Sequence, residues 1–72
     1  MRGADIMADR ILELACKRDM SVRTMALRSG IPESSLYTVT GRRGELSALN
    51  IRKLCAAMHV SADWLLGLVD SC

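Results

Sequence analysis

The sequence predicts an all-α fold of five short helices, and three observations predict it. Apolar residues recur at helical spacing along nearly the whole chain, no stretch alternates with period two, and Ser, Gly and Pro punctuate the pattern where short helices would start and stop. Trp64 and Tyr37 are the only aromatic residues, so the core must be built from Leu, Ile, Val, Met and Ala. At 72 residues, half of them hydrophobic and a quarter charged, the chain has the size and composition of one folded domain. We take residues 1–72 as that single domain, with a core of about 5–67.

The first helix is expected over 5–18. Met7, Ile11, Leu14 and Ala15 make its apolar stripe, and Asp9, Glu13 and Lys17 line the other side. Glu13 and Lys17 stand in the favourable i, i+4 order, worth a few tenths of a kcal/mol (~0.3) on a solvated face. Ser21 is the N-cap of a second helix over Val22–Ser29 that turns Met25 and Ala26 inward and ends at Gly30. Pro32 opens a third helix, 33–39, at or beside its first position, where a missing N–H is harmless.

In that third helix Leu36 and Val39 face the core, leaving Glu33, Ser34, Tyr37 and Thr38 together on the opposite side. Residues 40–45 then form a loop by their turn chemistry, with Gly41 and Gly44 flanking Arg42 and Arg43 at its tip. Ser47 caps a fourth helix striped by Ile51, Leu54, Cys55 and Met58. Ser61 caps a fifth, 62–66, with Asp63 in the first turn, where the dipole favours an anion, and Gly67 as its stop.

Composition also excludes function classes. Ten Lys and Arg against eight Asp and Glu leave +2, a balance that permits a nucleic-acid partner without arguing for one. The longest uncharged stretches, 46–51 and 55–62, fall far short of the ~20 residues a membrane span needs. Residues 1–8 do not read as a signal peptide, so a cytoplasmic location is expected. Cys16, Cys55 and Cys72 are odd in number, widely spaced and without a CxxC, which reads as reduced thiols, Cys16 and Cys55 filling the core. Cys55 and His59 share a helix face but lack a second ligand pair, so no metal site is expected. One histidine, no nucleophile elbow and no phosphate-binding glycine loop leave no catalytic residues to name, and no cofactor or small-molecule ligand is evident.

Ala26, Gly30 and Leu36 stand at the offsets of a helix-turn-helix: a small residue where helices approach, a glycine for the turn and an apolar anchor. Residues 11–67 resemble the DNA-binding domain of phage lambda-type repressors and Cro proteins, the Cro/C1-type (XRE) helix-turn-helix family. The octet Val60-Ser61-Ala62-Asp63-Trp64-Leu65-Leu66-Gly67 is similar to that family's closing signature. The resemblance implies a lambda repressor-like domain acting as a transcriptional regulator, a repressor first of all, on double-stranded DNA. The third helix would enter the major groove, Glu33, Ser34, Tyr37 and Thr38 facing base edges. Ser34 and Thr38 can donate or accept, and the Thr38 methyl can meet that of thymine; Glu33 can accept from cytosine N4 or simply favour the helix dipole.

Arg42 and Arg43 are the leading phosphate contacts, with Arg23 as a weaker one. The family implies a homodimer on a two-fold operator with half-sites ~34 Å apart. Ala62, Leu65, Leu68 and Val69 would supply the apolar contact, with Trp64 filling the core. Three departures imply modest affinity per monomer: Val22 where a polar residue often meets phosphate, Leu46 and Leu49 in a stretch often basic, and Ala15 with Thr40 where relatives pair arginine with glutamate. The competing expectation is a protein-interaction module of antitoxin or antirepressor type that docks a protein on the Glu33 and Tyr37 face, motivated by the near-neutral charge and the apolar Leu46 and Leu49.

Overall fold

Serine side chains start three of the helices. In the computed structural model, which describes residues 3–70, the Oγ atoms of Ser21, Ser47 and Ser61 accept the backbone N–H of Thr24, Asn50 and Trp64 at 3.1, 3.2 and 3.1 Å. Each bond satisfies one of the N–H groups that a helix start leaves without an intrahelical partner. The helices are α1 (Gly3–Lys17), α2 (Val22–Ser29), α3 (Glu33–Thr40), α4 (Ala48–Met58) and α5 (Ala62–Leu65), with no strand among the described residues. The expected boundaries shift slightly: α1 begins two residues earlier, α3 gains Thr40, α5 ends at Leu65, and Pro32 is the N-cap of α3.

All five helices end alike. The chain passes through one left-handed residue, and the next N–H reaches back to the carbonyl five positions earlier. Asp19, Gly30, Arg42, His59 and Gly67 are those residues, with φ between 51° and 81°. The return bonds are Met20 to Ala15, Ile31 to Ala26, Arg43 to Thr38, Val60 to Cys55 and Leu68 to Asp63, at 2.8–3.1 Å. Gly30 and Gly67 are the stops the sequence marks. Asp19, Arg42 and His59 do the same work without glycine, each at a left-handed penalty of roughly 1–2 kcal/mol.

Gly67 carries a second constraint, because a Cβ there would lie 2.5 Å from Ile6 Cγ2, whereas one on Gly30 would meet nothing within 4 Å. Gly67→Ala should therefore cost about 2–4 kcal/mol, strain plus overpacking, and Gly30→Ala about 1 kcal/mol. His59→Gly should be neutral or stabilise by up to ~1 kcal/mol. Urea unfolding of the three variants checks the order; equal losses at Gly67 and Gly30 would contradict the close approach of α1 and α5.

The helices enclose one core. α1 packs against α2, α3 and α5, and α4 covers α2 and α5. Met7, Ile11, Leu14, Met25, Ala26, Ile31, Leu36, Val39, Leu54, Met58, Trp64 and Leu65 are buried together, which places all of the expected stripe from α1 to α3 inside. The Arg10 guanidinium lies 5.2 Å from the centre of the Trp64 ring, a cation on its π face. Two long-range bonds close the ends: Arg18 Nη2 donates to Met58 O at 2.8 Å and Lys53 Nζ to Gly30 O at 3.4 Å, giving partners to carbonyls at helix termini. Glu13 and Lys17 form the expected pair at 3.6 Å, both exposed.

Three expectations are corrected here. Leu65, expected at a dimer contact, is completely buried because α5 presents it to the core with Trp64; the neighbouring Leu66 faces outward instead. Leu46, expected as exposed apolar surface, is buried, its N–H 3.5 Å from the Met7 sulfur. Cys16 is exposed rather than in the core, since it falls beside Ala15 but one step around α1, on the solvent side. Cys55 is half-buried, and burial pushes its thiol pKa up, so it holds its proton more firmly. Cys72 lies outside the described residues.

Candidate nucleic-acid interface

The frame of the site is α2, the Gly30 turn and α3. Eight residues of α2 end at Gly30, whose N–H reaches Leu27 O while the Ile31 N–H reaches Ala26 O; Ile31 is buried, so the turn is pinned on its inner side. Leu36 and Val39 then anchor α3 from beneath. Their burial turns Glu33, Ser34, Tyr37 and Thr38 outward, and all four are exposed. The four expected base-reading positions thus share one outer surface.

Their chemistry is more specific than the sequence revealed. The Thr38 hydroxyl donates within the helix to Ser34 O at 2.9 Å, which commits its hydrogen and leaves its lone pairs to accept, while its methyl lies beside Gly44, where an added Cβ would come within 3.3 Å of it. Thr40 Oγ1 similarly donates to Leu36 O at 3.0 Å. Glu33 Oε2 lies 3.8 Å from Arg23 Nε, close enough for an ion pair and too far for a hydrogen bond. Both side chains are largely exposed, so the pair adds little stability. It does join two residues assigned separate roles, one for bases and one for phosphate.

The loop after α3 differs from its expected form. Gly41 has φ −82°, a conformation open to any residue, and the left-handed position belongs to Arg42. The Arg42 Nη2 sits 2.6 Å from Asp9 Oδ1 on α1. Arg43 is exposed and makes no ion pair among the described residues. At the corresponding exits of α1, α2 and α4 the residue after the left-handed one is apolar and at least half-buried, Met20, Ile31 and Val60. At α3 that place holds Arg43, so the exit opens to solvent with a cation.

Sequence reasoning missed a further polar wall. A shallow pocket of about 270 Å³ lies between α3 and the start of α4, lined by Ser35, Thr38, Glu45, Leu46, Ser47 and Asn50. Ser35 and Asn50 bring hydrogen-bonding side chains beside Thr38 that helical periodicity alone does not join, because they lie on two helices separated by a loop. Of the proposed dimer residues, Ala62, Leu68 and Val69 are exposed and Leu65 is not. Leu49 is exposed but Leu46 is not, which removes half the apolar surface behind the interaction-module reading. No helix among the described residues is long and apolar enough to cross a membrane. No family model, curated protein or solved structure matches the chain.

Proposed function

We propose that this chain is a sequence-specific DNA-binding transcriptional regulator of the Cro/C1-type (XRE) helix-turn-helix kind, acting in the cytoplasm as a repressor. The observation that carries the reading is the outward face of α3: Ser34, Tyr37 and Thr38 are exposed opposite the buried Leu36 and Val39, on a helix braced by α2 and the Gly30 turn. A rigid helix with a hydroxyl-rich outer face suits the major groove, which admits one α-helix and displays donors, acceptors and thymine methyls. Exposed cations near its two ends support it, Arg23 before and Arg42 and Arg43 after, since arginines flanking a recognition helix suit phosphate oxygens.

The protein acts as a homodimer on a two-fold site, with Ala62, Leu66, Leu68 and Val69 as the apolar contact in place of the set containing Leu65. The patch is small, so pairing is completed on the DNA.

Selection from a pool of random duplexes at low salt tests the reading. The expected result is an enriched motif with two-fold symmetry, its preference changed at one position per half-site by Thr38→Ala, at roughly 1–3 kcal/mol of discrimination. A pool that emerges without enrichment refutes it.

A further inference from the structure

The loop from α3 to α4 carries a carboxylate that no cation holds. Glu45 is exposed and makes no hydrogen bond or ion pair among the described residues. The loop's own arginines are engaged elsewhere: Arg42 reaches Asp9 at 2.6 Å, and Arg43 lays its guanidinium beside Gly41, where an added Cβ would stand 3.3 Å from Nε. Gly44, the residue before Glu45, packs on α3 so closely that an added Cβ would come within 3.3 Å of the Thr38 methyl. Glu45 and Thr38 accordingly line one pocket, the hollow of about 270 Å³ between α3 and the start of α4. Both can only accept there. The carboxylate has no hydrogen to give, and the Thr38 hydroxyl has committed its own to Ser34 O at 2.9 Å.

Two such acceptors are ill suited to phosphate, which an unpaired carboxylate repels. They suit a donor, and the donors that bases display in the major groove are the amino groups of cytosine N4 and adenine N6. Resting on the DNA reading above, we propose that Glu45 is a specificity-determining residue, which together with Thr38 accepts the amino group of one cytosine or adenine. Guanine and thymine are rejected at that place, because they turn the acceptors O6 and O4 toward the same oxygens. Every base pair carries one amino group in the major groove, on one strand or the other, so the selection is for the orientation of that pair.

The test measures the parent, Glu45→Ala and Glu45→Gln on the selected duplex and on two relatives altered at the base pair whose preference Thr38→Ala changes. One relative has that pair inverted. The other replaces its cytosine or adenine with the analogue that lacks only the amino group, 2-pyrimidinone or purine. The parent should favour the selected duplex over each relative by roughly five- to tenfold, the lower range for one base contact. Glu45→Ala should bring both ratios close to one, whereas Glu45→Gln, which keeps a carbonyl acceptor, should retain most of the preference. The ratio is the readout, because taking a negative charge from beside the phosphates tightens binding to every duplex alike. Ratios unchanged in Glu45→Ala, a parent indifferent to loss of the amino group, a Glu45→Gln variant no better than Glu45→Ala, or no position that Thr38→Ala and Glu45→Ala both affect overturns the inference and leaves the DNA reading standing. A parent that binds no duplex at low salt overturns the DNA reading, and this inference falls with it.

Discussion

Trp64→Ala should cost about 3–5 kcal/mol, the range for removing a large side chain from a packed core. For a domain of this length, at roughly 0.05–0.15 kcal/mol per residue, that is more than a quarter of the whole stability. The expectation rests on position: Trp64 is 1% exposed, on the shortest helix, where it meets α1 and receives the Arg10 cation on its face. Little backbone surrounds it that could collapse into the space, since α5 has only four residues and its far end is held by Gly67 against Ile6. Unfolding in urea, followed by the helical circular dichroism because the lone tryptophan is gone, should show a sharply lowered midpoint. Leu27→Ala is the control: Leu27 is 74% exposed, so its truncation should stay within about 0.5 kcal/mol of the parent. Similar losses for the two would contradict the burial pattern.

Arg43→Ala should weaken DNA binding on every duplex alike, and it should do so more than Arg42→Ala. A guanidinium facing solvent releases counterion on meeting phosphate, so its removal should flatten the dependence of log affinity on log salt by about 0.9. Arg42 begins in an ion pair with Asp9, and exchanging that pair for a phosphate gains less. Thr38→Ala should behave differently, changing which duplex is preferred while the salt slope stays the same, because in the proposed reading the exposed Thr38 meets base edges rather than phosphate. Titrations on the selected duplex at four or five salt concentrations separate the two kinds of loss. If Arg43→Ala changes the preferred sequence and leaves the slope unmoved, the division into phosphate and base contacts is wrong.

These predictions draw on features that differ in how far they could be read from the chain. The N-caps Ser21, Ser47 and Ser61 were legible because each bond spans three residues and depends only on local geometry. Leu36 and Val39 were legible for a similar reason: helical periodicity, once the Gly30 and Pro32 boundaries are known, leaves only one face for Ser34, Tyr37 and Thr38. The left-handed exits at Asp19, Arg42 and His59 were not. Glycine advertises such a position, but a residue with a side chain is forced into it by the return bond behind and the packing ahead.

The candidate site divides along the same line. Periodicity placed the hydroxyl face but could not show that the Thr38 hydrogen is already used by Ser34 O, nor that Ser35 and Asn50 stand beside it. Leu65 and Leu66 are adjacent and chemically alike, and a four-residue helix is too short for a stripe to assign one inward and the other outward.

Local spacing thus determined five helices, their serine starts and the outward face of α3, because those depend on interactions within one or two turns. The folded arrangement alone decided that Asp9 meets Arg42, that Arg18 closes the end of α4 and that Gly67 must lack a Cβ beside Ile6. Each of those contacts joins groups from distant parts of the chain, and no periodicity records a meeting that depends on how whole helices are stacked.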